Sequence, residues 1–358
     1  FVFPNATHSR FVHSLGATHL MIQTIQHFRR HRPTRKLLEE PYGDTGIPLS
    51  QLMLLGILLH DIGHSPLSHT LEDVLHLKEQ GMHHDHYWNR KIITEDPELL
   101  AIWDKHNPKL PEAVLDFVSE GRNKHFLAYL ISSQLDMDRL GYLQRGSHFL
   151  GVKYGQIEDQ RIINNLEIVE LREGQNVVAV RIEALPAVEH YLFGRHEAYK
   201  MALHPLDKAS EITLKQVLLR FSWVREQGIA TGFDAEPLFT LIRDGRSLST
   251  ADYLFMDDNY IWEAMKYWSW YSEDPLLKEL ASRMMKHEIL KFIDLRSYGF
   301  QGALTDIPGI CQALRAHYEE RNLSFEFGFD EIGVKPKAMY LRTEHREPIW
   351  VISNQGIV

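Results

Sequence analysis

The sequence predicts a mainly α-helical fold with minor β elements. Two observations carry this. Apolar residues recur at helical spacing through long segments on both sides of residue 165. Strict β-type alternation is confined to one hairpin-like stretch near 166–182 and to short runs in the tail. With 358 residues, 44% hydrophobic and 24% charged, the chain is long enough and apolar enough to bury a sizeable core.

The elements follow in order. Residues 11–31, "FVHSLGATHLMIQTIQHFRRH", read as an amphipathic helix with Phe11, Leu15, Leu20, Ile22 and Ile25 as its apolar residues and a basic end suited to a helix C-terminus. "PYGDTGIPLS" is a loop. Leu52 to His60 is apolar nearly all round, so this helix is central and buried. Gly63 and Pro66 break it, and "PLSHTLEDVLHL" opens another helical segment with proline near its first turn. Further helices are predicted at 84–95, 111–119 and 124–146. Ile168 to Arg172 and Val177 to Ile182, separated by "EGQN", read as a β-hairpin. Helices at 186–202, 205–226, 249–270 and 275–292 follow, the aromatic stretch 260–271 reading as a packed helix interface. From 307 the tail holds one helix and two β-like runs, "LSFEFGF" and "PIWVISN". The organisation expected is 1–165, 166–300 and 301–358.

Composition narrows the function. No run of 18 or more apolar residues and no basic-then-apolar leader is visible, so a membrane span and a signal peptide are not expected. The single cysteine, Cys311, excludes an intramolecular disulfide framework and fits a cytoplasmic location, and it reads as a small buried apolar residue. A formal charge of −9 argues against a general nucleic-acid coat protein. Among the 21 histidines, His27, His31, His76, His106 and His125 read as solvated surface positions. "FVFPNATHSR" has no initiator Met and reads as mid-domain, so a native N-terminal segment is expected to precede it.

Three separated stretches concentrate chemistry: "ATHSRFVHSLG", "LLGILLHDIGHSPLSHT" and "SSQLDMDRLGYLQRGSH". A lone histidine on an apolar helix is usually a satisfied core residue. An adjacent His60-Asp61 pair emerging from "LLGILL" is different, because a carboxylate at the end of a buried helix must be paired or metal-bound. Imidazole and carboxylate together suit Mn, Fe, Ni, Co or Zn, with Mg a weaker fit. "HExxH" is absent, as are P-loop and kinase-like glycine motifs, so neither a metalloprotease nor ATP-driven transfer has a motif behind it.

The order His13, His60-Asp61, Asp138 resembles that of the HD-domain metal-dependent phosphohydrolases. The flanks "FPNATHSRFVHSLG", "LLHDIGHSPLSHTLE" and "SSQLDMDRLGYLQRGSHFLGV" are similar to the branch containing deoxynucleoside triphosphate triphosphohydrolases, including the bacterial enzymes and the vertebrate SAM-and-HD-domain protein. Weaker similarity continues through "HYLFGRHEAY", "LHPLDKASE" and "FMDDNYIWEAMKYW". The resemblance implies an HD-domain helical core, with the hairpin as an insertion and a small α/β C-terminal appendage. It implies that His13, His60, Asp61 and Asp138 bind one divalent metal, with additional Mg on the substrate phosphates. His69 is then a catalytic histidine with Glu72 to orient it, and His84 a second active-site histidine, with His83 and His86 leaving its register open. Arg10, His64 and Arg139 would face phosphates, and Tyr142 the sugar or base. Arg195, Tyr199 and Lys208 match a pocket-closing region, in which "HEAYKMALHP" runs about one residue shorter than the usual pattern.

The implied reaction is attack at the α-phosphate of a dNTP, releasing deoxynucleoside and tripolyphosphate, by a homo-oligomer that is a dimer or tetramer. Two departures stand against a simple transfer of substrate. The family pattern "DxDRxDYLxRD" holds aspartates where this chain has Gly141 and Gly146, and a carboxylate at the second place is associated with the sugar 3′-hydroxyl. A phosphodiesterase or phosphatase acting on another nucleotide or phosphoester, and a catalytically silent nucleotide-binding protein, are the alternative readings. Arg139, Arg145 and Arg195 also have a structural reading, as partners of buried carboxylates.

Overall fold

The computed structural model describes residues 3–75, 84–119, 124–171, 174–289, 348–353 and 356–357, with Gly309, Gln312, Ala316 and Glu320 as isolated positions. The chain divides into two compact units, one built from Phe3–Gly63, Trp88–Ala202 and the C-terminal strands, the other from His64–Tyr87 and the helices after Leu203.

The first unit contains α1 (Arg10–Phe28), α2 (Arg32–Leu38), α3 (Leu49–Leu59), most of α5 (His84–Glu95), α6 (Pro97–His106), α7 (Leu110–Val118), α8 (Met137–Leu150), α9 (Asp159–Ile163) and α10 (Leu185–Ala202). Ser9 caps α1 by accepting from Val12 N. The buried face of α1 is Ala17, Leu20, Met21, Thr24, Ile25 and Phe28, packed toward α3 and α8. Phe11, Leu15 and Ile22, expected on the apolar face, are exposed instead. Their spacing from Leu20 and Ile25 places them on the other side of the helix, which the residue types alone do not reveal. α3 is apolar on nearly every side as expected, with Leu52, Met53 and Ile57 fully buried. A Cβ at Gly56 would stand 2.6 Å from the Ile131 side chain and 2.9 Å from that of Val118, so glycine permits the close approach of α3 and α7.

The single helix predicted at 124–146 is two elements. A 3₁₀ turn spans Phe126–Leu130, and α8 starts only at Met137. Asp136 makes the break: its carboxylate accepts from Ser133 N at 2.6 Å and from Arg139 N at 2.7 Å, a side-chain cap that competes with a continuous helix. Gly151, with φ 70°, ends α8.

The hairpin β1 (Leu166–Glu170) and β2 (Asn176–Arg181) is antiparallel, with Val169 opposite Val177. β3 (Trp350–Ser353), from the "PIWVISN" run, joins β2 in parallel with Val351 opposite Val180, and β4 (Gly356–Ile357) pairs with β3 to complete the order β1-β2-β3-β4. His27 is buried rather than solvated, its Nε2 2.8 Å from the Leu166 carbonyl, and so ties α1 to β1.

The second unit contains α4 (His69–Val74), α11 (Pro205–Glu226), α12 (Glu236–Asp244), α13 (Thr250–Phe255), α14 (Asp258–Tyr271) and α15 (Pro275–Lys286). α11 packs on α4, α12 and α15, with Val217, Leu218, Phe221 and Val224 buried. Phe221 stacks on Trp268 of α14 at 4.3 Å between ring centroids. Within the aromatic stretch Trp268 is buried, while Trp270 and Tyr271 are exposed, so only one face is packed. The helix predicted at 249–270 is split because Asp257 caps α14 by accepting from Tyr260 N at 2.8 Å. The helix predicted to 292 ends at Lys286, where His287 takes the left-handed conformation at φ 61°. Cys311, His76, "LSFEFGF" and, apart from isolated positions, the tail helix lie outside the described residues. No helix among the described residues is long and apolar enough to cross a membrane.

Candidate active site

His60 and Asp61 lie just beyond the last residue of α3, so the buried helix delivers them to the same place by its own packing. Asn89 braces the turn, donating to the Leu59 carbonyl at 2.6 Å and the His60 carbonyl at 3.3 Å. His13 comes from the first turn of α1 and Asp138 from the first turn of α8. His13 Nε2 is 3.0 Å from Asp138 Oδ1 and 3.7 Å from Asp61 Oδ2. His60 Nε2 is 3.4 Å from Asp61 Oδ1 and 3.6 Å from Asp138 Oδ1. One ligand atom each from His13, His60 and Asp138 lies within 4.8 Å of the others.

This set fits a divalent cation. His60 Nδ1 lies 2.6 Å from the Ile57 carbonyl, so that nitrogen carries the proton and Nε2 presents a lone pair. Nε2 is buried without a hydrogen-bond partner and faces two carboxylates, an arrangement that only a positive charge satisfies. The electrostatics agree. Burial alone would lower the His60 pKa, but Asp138 and Asp61 outweigh it and raise it. Burial would raise Asp138, and the neighbouring imidazoles of His13 and His60 overcome that and hold it below the usual carboxylate range. Asp61 is also bound by Arg10, Nη1 to Oδ2 at 2.7 Å.

Around this group, Arg139 Nε donates to the fully buried Asp136 at 3.1 Å and to the Ser133 carbonyl at 2.7 Å. Arg195 reaches Gln134, with Nη1 3.2 Å from Oε1, rather than a carboxylate. The Tyr142 hydroxyl makes no hydrogen bond among the described residues, and burial raises its pKa. Tyr199 lies near the end of α10. Arg145 pairs with no carboxylate among the described residues; its Nη2 donates to His13 Nδ1 at 2.8 Å.

The second unit holds its own polar cluster. Glu72 is buried in α4, with its carboxylate 2.9 Å from His64 Nδ1 and 2.9 Å from His69 Nδ1. Burial would raise Glu72, but the two imidazoles more than offset it and hold the carboxyl well below its usual range. Both rings therefore turn Nε2 away from Glu72, and the His69 side chain is 81% exposed. The chain enters α4 through Leu67 and Ser68, both non-glycine residues at positive φ, 56° and 48°. Such strain persists only where surrounding structure enforces it, and here Asp258 Oδ1 holds Leu67 N at 2.8 Å. Lys208, in α11, pairs with Glu211 at 2.5 Å. His84 is the first residue of α5, and its side chain lies outside what the structure describes.

Asn89, Gln134 and the Arg145–His13 contact carry no local sequence signal. Each depends on residues more than 28 positions away meeting in space.

A solved structure described as a phosphohydrolase from Bacteroides thetaiotaomicron matches the fold with a TM-score of 0.70 at 26% identity, covering 99% of this chain and 82% of that one. The chain has the HD-domain fold, and it resembles the triphosphohydrolase branch of the HD-domain phosphohydrolases. The HD-domain chain is 31% identical over 294 residues to the uncharacterized protein YwfO of Bacillus subtilis, spanning 82% of this chain and 62% of that relative. It is 24% identical over 355 residues to the human deoxynucleoside triphosphate triphosphohydrolase SAMHD1, 89% of this chain and 51% of that protein. A Dictyostelium discoideum homolog of the same name is 29% identical over 167 residues, 42% of this chain and 29% of its own. The HD-domain chain thus spans less than two thirds of these curated relatives. No family model matches it.

Proposed function

We propose that the chain is a metal-dependent nucleotide phosphohydrolase that converts dNTPs to deoxynucleoside and tripolyphosphate. One observation supports this above the others: His13, His60 and Asp138 converge, with Asp61 against them and the buried His60 Nε2 lacking a partner. A divalent metal held by these four residues, Mn, Fe, Ni, Co, Zn or Mg, would polarise a phosphoryl oxygen and lower the pKa of a water.

The chain's own residues supply the rest of the reading. Arg10 and Arg139 offer guanidinium donors suited to phosphate oxygens, with His64 as a further phosphate contact. Glu72 holds His69 through Nδ1, leaving Nε2 to give a proton to the departing sugar oxygen or take one from the attacking water. Tyr142, whose hydroxyl makes no hydrogen bond among the described residues, offers it to sugar or base. Arg195, Tyr199, Lys208 and His84 are assigned to the pocket by resemblance. Additional Mg on the phosphates, a cytoplasmic location and a dimer or tetramer belong to the same proposal.

Gly141 and Gly146 favour a shift in substrate choice within that chemistry. A Cβ at position 146 would stand 3.2 Å from the Tyr154 hydroxyl, so a phenol borders the place where the family pattern has a carboxylate. A phenol donates as well as accepts, and discriminates less strongly for a sugar hydroxyl than an acceptor-only carboxylate.

The test is product analysis on dNTPs, NTPs and other phosphoesters with metal-loaded protein. Release of deoxynucleoside and tripolyphosphate supports the reading, and strict preference for dNTPs refutes the substrate shift. Turnover of a different phosphoester alone moves the assignment to the phosphodiesterase or phosphatase reading. Binding without turnover across the panel moves it to a silent nucleotide-binding protein.

A further inference from the structure

The two histidines of the candidate metal group present their rings with opposite polarity. A histidine that binds a metal through Nε2 normally gives its Nδ1–H to a carbonyl, carboxylate or water. His60 does so with the Ile57 carbonyl. His13 does not, because Arg145 Nη2 lies 2.8 Å from its Nδ1 and a guanidinium has only donors. His13 Nδ1 is therefore the acceptor, and the neutral ring carries its proton on Nε2, directed at Asp138 Oδ1 3.0 Å away. That nitrogen is the one the metal needs.

The contact has a built slot. Arg145 lies two turns beyond Asp138 on α8, with its guanidinium in space left by one glycine on each of two packed helices. A Cβ at Gly16 of α1 would stand 1.6 Å from Nη1, and one at Gly141 of α8 would stand 2.3 Å from Nη2. Among the described residues its buried Nε has no hydrogen-bond partner and no carboxylate forms an ion pair with it, although the charge of Asp138 acts on it through space.

We infer that Arg145 is a positioning residue that competes with the metal for His13. Its hydrogen bond holds His13 in the non-ligating tautomer; metal loading shifts the ring proton to Nδ1, where it repels the guanidinium donor, and Arg145 leaves its slot. Gly141 is part of the device, since a side chain there would draw or push Nη2 away. The inference rests on the reading of His13 as a ligand and asks nothing about which phosphoester is cleaved.

The test uses the full chain stripped by chelator, without nucleotide. Zn²⁺ affinity is measured by competition titration for wild type, Arg145→Ala and Gly141→Asp, with circular dichroism to confirm that each is folded. Because the metal must break a charge-assisted hydrogen bond, Arg145→Ala is expected to bind Zn²⁺ about tenfold tighter or more. Gly141→Asp, with an acidic partner for Arg145, is expected to tighten binding in the same direction. As a second readout, ¹⁵N NMR of wild-type histidines, with His13 assigned by comparison with His13→Gln shown by circular dichroism to be folded, should show the metal-free ring protonated at Nε2 and the Zn²⁺-loaded ring at Nδ1.

A metal-free His13 already protonated at Nδ1, or Zn²⁺ binding in Arg145→Ala no tighter than in wild type, overturns the inference. Absence of Zn²⁺ binding in every form overturns it together with the metal centre. Intact Zn²⁺ binding with no phosphoester turnover would sink only the proposed reaction.

Discussion

His13 Nε2 and Asp138 Oδ1 meet at 3.0 Å, joining the first turn of α1 to the first turn of α8. The same oxygen stands 3.6 Å from His60 Nε2, so one carboxylate faces both imidazoles. Asp136, two residues earlier, does a different job: it is fully buried and caps α8. Asp138→Ala is accordingly expected to lose metal and about 100-fold or more of turnover while keeping the melting temperature of metal-free wild type. Asp136→Ala is expected to lose about 1–3 kcal/mol of stability, as the cap and its buried donors go unmet. Metal analysis and thermal melts on the two variants separate the roles, and equal melting losses would refute the division.

Glu72 holds His64 and His69 together from a buried position. Glu72→Gln keeps the size of the side chain but removes the charge that orients both rings. Turnover is expected to fall by about 10²–10⁴ with bound metal unchanged, since the metal ligands lie elsewhere in the chain. Steady-state kinetics beside metal content check this, and loss of metal would point to a structural role for Glu72.

Two glycines make close backbone approaches possible beside Tyr154. A Cβ at Gly155 would stand 1.9 Å from the Leu143 carbonyl oxygen, and one at Gly194 2.3 Å from the Tyr154 carbonyl oxygen. Backbone does not yield as a side-chain tip does. Gly155→Ala and Gly194→Ala are each expected to cost about 1–3 kcal/mol or more, read by denaturant unfolding.

In the second unit, Arg220 grips Asp274 with two bonds, 3.0 Å from Nε and 2.6 Å from Nη2. Burial would raise Asp274, but Arg220 and the Leu277 amide overcome this and leave its pKa below the ordinary value. A carboxyl depressed in the folded state releases its proton more readily there than when unfolded. Its stabilisation is therefore complete above the unfolded pKa and fades as pH falls through the folded value. Melting temperature of the wild type should drop between about pH 5 and pH 2, and Asp274→Asn should show a lower but flatter profile over that range. Parallel profiles would remove Asp274 from the acid response.

Legibility in the sequence followed how local each signal was. The helix leading to His60 and Asp61 was readable because the run from Leu52 to Leu59 is apolar nearly all round, which demands a central, buried position. The hairpin was readable because alternation and its turn lie within a few residues of one another. The break at Asp136 and the split at Asp257 were missed, although each is a side-chain cap of ordinary type. A capping carboxylate inside a helical apolar pattern is outvoted by that pattern until its backbone partners are seen. The buried role of His27 was missed for a different reason, because its acceptor at Leu166 is distant in sequence.

The sequence by itself determined the mainly helical class, the placement of a His-Asp pair at the end of a buried helix, and the family resemblance carried by three ordered motifs. Periodicity and chemical type are properties of neighbouring residues, so they survive without coordinates. Only the tertiary structure decided which face of α1 is buried, that Asp138 faces two histidines, that Glu72 grips two more, and that Arg145 reaches His13 with a donor where a metal ligand calls for an acceptor. Those relationships depend on how α1, α3 and α8 pack, and in α4 on a strained turn, and hydrogen-bond polarity has no trace in a residue string.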